Sequence, residues 1–262
     1  MKTLIFFKTH FLSKAVISEY KKIKSSLNEN EELILFIDNN SKFLSESENA
    51  NLVQDLEIEN TLVKCFISNN FILKNLNLPI DIDECNPKAS KVMWYCSDYP
   101  FYIIKNYLPE YDFYWSIEYD VFCNGNSYRI FLDKYESDSD LIVSDYRNLN
   151  NEFDWHWQYN SDWIYADTPK FGCFFPVVRL SAKAIDFLYN KRIEQGEFYK
   201  RFETKVGAYW PFCELFVPTE LSNNGFKIQN LDTENLRFAP VYNLSVERIF
   251  EDPDFKLYHP VK

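Results

Sequence analysis

Three short apolar runs constrain this chain most. They are Leu4 to Lys8, Leu33-Ile34-Leu35-Phe36-Ile37 and Leu62 to Ile67. Each is brief, continuous and rich in β formers, the pattern of a strand buried on both faces. Between the first two, Ser13 to Leu27 places Ala15, Val16, Ile17, Tyr20 and Ile23 near a 3.6-residue period, with Ser13 positioned as an N-cap. The order β-α-β-β predicts an α/β chain built on a mostly parallel central sheet flanked by helices. Ligands of such sheets bind at the carboxyl ends of the strands. That rule singles out Lys8, Thr9 and His10 after the first run, and Asp38 after the second.

The rest of the chain continues in the same style. Tyr99 to Leu108 reads as a helix with Pro100 in its first turn. Asp112 to Ile117 reads as a strand of strong β formers. Tyr128 to Tyr135 and Ser181 to Gln195 read as helices, the latter capped by Ser181, and Pro211 to Leu221 as a third. Leu141-Ile142-Val143 and Cys173 to Leu180 read as further strands. Asn77 to Ser90, with Pro79, Pro87 and several acids, reads as a surface loop. Asn148 to Pro169 is polar and aromatic without a period, and is expected to be a long functional loop. One domain over residues 1–262 is expected, with 1–120 as a nucleotide-donor half and 121–262 as an acceptor half.

Composition narrows the function classes. Only five glycines occur, and neither GxGxxG nor GxxxxGK[ST] is present, so phosphate-cradling glycine loops lack sequence support. The net charge of −11 repels phosphate backbones and argues against nucleic acid as a partner. Six cysteines are scattered singly with no metal-ligand spacing. Several, such as Cys65 in Val63-Lys64-Cys65-Phe66-Ile67, sit in apolar strings as small hydrophobes, which favours reduced thiols. No apolar run reaches the length of a membrane span. A cytoplasmic protein is expected, at most peripheral to the inner face of a membrane.

The most informative stretch is Trp115-Ser116-Ile117-Glu118-Tyr119-Asp120-Val121. An apolar strand delivers two carboxylates, two positions apart, to a sheet edge. In an extended chain such positions share a side. Two adjacent carboxylates are costly without a cation. Mg²⁺ or Mn²⁺ suits them, since such ions bind through one or two carboxylates plus substrate phosphates. A metal-bridged diphosphate is in turn a good leaving group. The ordinary meaning of an E-x-D is a solvated pair of acids; the preceding apolar strand and surrounding aromatics favour a site.

On these residues the chain resembles a glycosyltransferase of the GT-A type, a Rossmann-like α/β fold with an acidic D-x-D-like motif after a central strand. The resemblance implies a nucleotide-sugar donor and a glycan or glycolipid acceptor, with Asp120 contacting metal or diphosphate and Glu118 the donor. By the same resemblance, Glu214 in Trp210-Pro211-Phe212-Cys213-Glu214 stands where inverting members carry their base. His259 stands where several members place a late metal ligand. The motif here is E-Y-D. Metal-free members use basic side chains instead, for which Arg179 and Lys262 are candidates. The implied role is cell-surface polysaccharide or lipooligosaccharide synthesis.

Aromatic rings pack against the apolar faces of sugars. Trp155, His156 and Trp157 are therefore expected at the acceptor, and Trp94, Tyr95 and Asp98 at a donor-pocket wall. Two other readings use the same residues: a non-catalytic carbohydrate-binding protein, and a nucleotidyltransferase of related fold.

Overall fold

The computed structural model describes residues 1–39, 53–68, 70–79, 92–124, 128–149, 155, 158, 161–201, 210–231, 236–238 and 257–260. Alternation along the central strands sets its layers. In β1 (Thr3–Thr9), Leu4 and Phe6 pack on one face of the sheet and Ile5 and Phe7 on the other, all fully buried. In β2 (Glu31–Asp38), Ile34 and Phe36 join the first face, while Leu33, Leu35 and Ile37 join the second. Successive side chains of a strand point to opposite faces, so a continuous apolar run serves two cores at once.

Six further strands complete this sheet: β3 (Val53–Ile58), β4 (Thr61–Ser68), β5 (Phe113–Glu118), β7 (Leu141–Asn148), β8 (Phe171–Ser181) and β9 (Ile228–Asn230). Their order is β3-β4-β2-β1-β5-β8-β7-β9. The β4–β2, β2–β1, β1–β5 and β7–β9 pairings are parallel. The β3–β4, β5–β8 and β7–β8 pairings are antiparallel. A small second sheet joins β6 (Phe122–Cys123), β10 (Leu236–Phe238) and β11 (Leu257–His259). The expected mostly parallel α/β sheet is present, with an antiparallel hairpin at one margin and antiparallel strands inserted towards the other.

Helices cover both faces. On the face of Ile5 and Phe7 lie α1 (Lys14–Ser25), through Val16, Ile17 and Tyr20, and α5 (Arg129–Lys134), through Phe131 and Leu132. The opposite face carries α3 (Val92–Tyr95), α4 (Tyr99–Tyr107), α7 (Ala182–Tyr199) and α8 (Cys213–Asn223). Two shorter helices are α2 (Asn70–Asn75) and α6 (Asp162–Tyr165). The capping expectations hold. Ser13 accepts from the Val16 amide at 3.2 Å, and Ser181 from the Ala184 amide at 3.2 Å.

Three features differ from the sequence expectations. Strand β3 was not read from the sequence. It pairs with β4 through a tight turn in which Glu59 and Asn60 both have positive φ, 48° and 56°. Its edge position leaves acids on the exposed positions Asp55 and Glu57, which breaks the apolar run. The Asn148 to Pro169 segment is not wholly irregular, since β7 reaches Asn148 and α6 occupies Asp162–Tyr165. Arg179 is not available to a phosphate. It is 3% exposed and donates to the carbonyls of Tyr135, Ser137 and Ser139 at 3.0, 2.8 and 3.0 Å, with its guanidinium 4.2 Å from the Phe113 ring. The chain uses this arginine to satisfy a loop of buried carbonyls, so burial wins over ligand access.

Among the described residues, no helix is long and apolar enough to cross a membrane. Cys65, Cys96, Cys123, Cys173 and Cys213 are buried free thiols. Cys85 lies outside the described residues.

Candidate active site

Strand register assembles the site. Lys8 of β1 pairs directly with Glu118 of β5 in the parallel ladder, and Thr9 pairs with Ile37, the neighbour of Asp38. The carboxyl ends of β1, β2 and β5 therefore meet at one edge of the sheet, and a pocket of about 700 Å³ opens there. Lys8, Thr9, His10, Asp38, Glu118, Asp120, Glu214 and His259 all line it. These are eight of the candidate residues read from the sequence, drawn from five separate segments.

The two acids are not presented by extended chain. Strand β5 ends at Glu118, and the Val121 amide donates to the Glu118 carbonyl at 3.0 Å, closing a turn around Tyr119 and Asp120. Both carboxylates still line the pocket, held by the turn rather than by a two-residue pleat. Tyr119 packs edge-on to His10 and Phe11, with centroids 4.9 and 4.8 Å away, which braces the turn from outside. Burial and the two flanking acids push its phenol up to about 12.

His259 reaches the acids through the small sheet. Tyr258 and Leu257 of β11 pair antiparallel with Phe122 and Cys123 of β6, the strand that follows the acidic turn. A buried acid fixes that strand: Glu19 of α1 accepts from the Cys123 amide at 3.0 Å. His259 Nε2 thus lies 3.4 Å from Asp120 Oδ1 and 3.8 Å from Glu118 Oε2. One ligand atom from each of the three falls within 4.8 Å of the others. Asp120 Oδ1 is shielded from solvent and accepts no hydrogen bond among the described residues. Two carboxylates and an imidazole are a donor set that Mn²⁺ or Mg²⁺ can use, and the orphaned oxygen is an atom such an ion would satisfy. The residues present therefore fit a divalent cation.

A protein cation already stands beside the trio. Lys8 Nζ lies 2.7 Å from Glu118 Oε1 and donates to Ser97 Oγ at 2.8 Å. Ser97 in turn donates to the carbonyl of Met93 or Trp94, both at 3.1 Å. Lys8 thus fixes Glu118 through one oxygen and leaves the other towards His259. The sequence marked Lys8 for the donor but carried no signal of this pairing, which exists only through strand register.

Glu214 lines the same pocket from the first turn of α8. Its Oε1 accepts from the Phe175 amide at 3.1 Å. That amide is available because β8 bulges: Val143 pairs with Val178, yet Ser144 pairs with Phe174, so Phe175, Pro176 and Val177 leave the β7 ladder. Pro218 sits inside α8 and lacks the N–H that would meet the Glu214 carbonyl one turn back. The Cys173 thiol approaches that carbonyl instead, at 3.5 Å. Burial pushes the Glu214 carboxyl up to about 8; the Phe175 amide opposes this and the Glu118 charge adds to it. A carboxyl poised near neutrality on a pocket wall is suited to proton transfer.

The remaining sequence candidates divide. Trp94 lines the pocket. Tyr95 does not; it is buried and donates to the Trp210 carbonyl at 2.6 Å. Asp98 is wholly buried against Arg192, with contacts of 2.7 and 3.0 Å. Trp155 lies outside the pocket lining and packs with Leu149, Ile164, Tyr165 and Leu215, its ring 5.8 Å from the Arg147 guanidinium. Its aromatic surface is used in packing the region next to β7 and α8. His156, Trp157 and Lys262 lie outside the described residues. Phe174, Phe175, Pro176 and Phe212, which also line the pocket, were missed as site residues. Their strand and helix-start patterns read only as core.

No protein-family model matches the sequence. No curated protein matches it either. Among solved structures, the chain is similar to the galactosyltransferase LgtC in complex with donor and acceptor sugar analogs, at 11% identity and a TM-score of 0.49, covering 99% of this chain and 86% of that one. It is also similar to mouse xyloside xylosyltransferase 1 in its apo form, at 13% identity and a TM-score of 0.47, covering 98% of this chain and 96% of that one. Both structural neighbours are glycosyltransferases, and both scores lie below 0.5. The functional reading therefore rests on the pocket.

Proposed function

We propose that the chain is a nucleotide-sugar-dependent glycosyltransferase acting on a glycan or glycolipid acceptor. The observation that carries the reading is the meeting of Glu118, Asp120 and His259 at the carboxyl ends of the strands, with Glu214 lining the same pocket. Glu214, anchored by the Phe175 amide in that pocket, supplies a group able to take a proton, for which a sugar-binding protein without catalysis has no use.

In this reading Thr9, His10 and Asp38 flank the nucleoside, and residues 1–120 supply most of the donor side. Glu118, Asp120 and His259 would hold Mn²⁺ or Mg²⁺, which when bound neutralises charge on the departing diphosphate. Lys8 keeps Glu118 oriented. Glu214 takes the proton of an acceptor hydroxyl as that oxygen attacks the anomeric carbon from the face opposite the diphosphate, so the reaction inverts. The Phe175 amide holds the receiving carboxylate in place.

Asp120→Asn tests this. The isosteric variant is expected to keep its fold, checked by its unfolding midpoint, and to lose transfer and donor hydrolysis by about 10²-fold or more. Product analysis of the wild type yields a nucleoside diphosphate and a glycoside of inverted anomeric configuration. Release of pyrophosphate would indicate nucleotidyl transfer instead. Full activity in the variant would remove Asp120 from the chemistry.

A further inference from the structure

Seven large apolar side chains are markedly exposed among the described residues, and of these Trp94 alone lines the pocket. It is 54% exposed. An isolated exposed aromatic on a surface is ordinary. This one is braced: its ring packs against Phe212, with centroids 5.5 Å apart, and Phe212 packs edge-on against Tyr95 at 5.0 Å. The Tyr95 hydroxyl is tied to the Trp210 carbonyl. The Trp94 carbonyl is within reach of the Ser97 hydroxyl, which also receives Lys8. The indole is therefore braced by Phe212 and Tyr95, its backbone is tied to Ser97, and more than half of the residue's surface stays open at the pocket.

Its neighbours say what that face is for. Phe212 precedes Cys213 and Glu214 at the start of α8, so the platform and the titratable carboxyl belong to one wall. Thr9, His10 and Asp38, which also line the pocket, lie instead at the ends of β1 and β2. A flat aromatic face beside a carboxylate matches a pyranose, which presents C–H bonds on one face and hydroxyls around its rim. A plain acyl chain would have no use for the carboxylate.

We propose that Trp94 is the stacking platform for the acceptor sugar, which is a pyranose laid on the indole with one hydroxyl directed to Glu214. The inference rests on the glycosyl-transfer reading for its choice of ligand. It gives Trp94, expected from the sequence at a donor-pocket wall, to the acceptor instead, and adds the α3–α8 wall to the acceptor side.

Saturation-transfer NMR with methyl glycosides of glucose, galactose and N-acetylglucosamine tests it, on wild type, Trp94→Ala, Trp94→Phe and Trp155→Ala. At least one glycoside binds the wild type, with saturation strongest on the C–H groups of one ring face. Trp94→Ala weakens that binding about tenfold or more, Trp94→Phe restores most of it, and Trp155→Ala leaves it unchanged. Thermal shifts by UDP, GDP and CMP stay as in wild type for Trp94→Ala. The platform is overturned if no glycoside binds wild type, if Trp94→Ala binds equally well, or if that variant loses nucleotide binding instead, which would make Trp94 a base-stacking residue. Glycoside binding that depends on Trp94 with no nucleotide binding at all would keep the platform and sink the transferase reading.

Discussion

Two of the ion pairs that tie distant segments together are built differently. Arg192 and Asp98 are both fully buried and doubly bonded. Asp98 also accepts from the Tyr102 hydroxyl at 2.7 Å, and Arg192 donates to the Pro211 carbonyl at 2.9 Å while stacking 3.6 Å from the Phe216 ring. Lys8 and Glu118 form a single contact at the pocket, each partly open to it. Next to them, the shielded Asp120 Oδ1 accepts no hydrogen bond among the described residues. The closed pair has its polar groups satisfied by the protein, as a structural element must. The open group is left incomplete, at a cost that a ligand can recover.

The two are also connected. Arg192 binds the carbonyl of Pro211, two residues before the start of α8, and so helps set where Glu214 begins its helix. Ser97, beside Asp98 in sequence, receives Lys8. The buried pair thus acts as a foundation for both walls of the pocket.

Breaking the closed pair is expected to have the largest effect. Arg192→Leu leaves Asp98 as a buried uncompensated charge and costs about 3–5 kcal/mol of unfolding free energy, measurable by denaturant titration. A variant as stable as wild type would erase the structural half of the contrast.

Glu214→Gln separates the halves by pH. The ordinary carboxyl value is 4.5, and the folded value is about 8, so between them the folded state binds the extra proton. Stability therefore falls as pH rises through that window, and the glutamine removes the loss. The variant should unfold at a higher temperature than wild type at about pH 9, and at the same temperature at about pH 4. Its transfer rate should be about 10²–10⁴-fold lower, and the wild-type rise of kcat/KM towards about pH 8 should flatten. A variant that loses activity and stability together at high pH would place Glu214 with the closed pair.

The smallest effect is expected at Lys8. Lys8→Met keeps the apolar stem and removes the charge that orients Glu118. A loss of about tenfold in kcat/KM for the donor, near 1.4 kcal/mol, is expected with little change in unfolding midpoint. A collapse in stability would show that this pair, too, is structural.

Much of this contrast was legible in the sequence, and what was not has a common cause. Leu4 to Lys8, Leu33 to Ile37 and Trp115 to Asp120 announce strands and their polar ends locally, through run length and composition, and Ser13 and Ser181 announce their caps. Glu214 and His259 came from resemblance, and the fold brings both to the pocket. Partnerships made only by tertiary contact left no local mark. Lys8 meets Glu118 through strand register, and Arg192 meets Asp98 through helix packing. Arg179 carries the same charge as a phosphate ligand would need, yet three carbonyls claim it. The aromatic Trp155 is indistinguishable in sequence from Trp94; only burial separates packing from platform.

The open group of Glu118, Asp120 and His259 is expected to be completed by a nucleotide with a divalent cation. Thermal unfolding of wild type and Asp120→Asn with UDP, GDP and CMP, each with and without Mn²⁺, measures it directly. One nucleotide should raise the wild-type midpoint, more with Mn²⁺ than without, and Asp120→Asn should lose the Mn²⁺-dependent part. No shift with any nucleotide, or an equal shift in the variant, would contradict it.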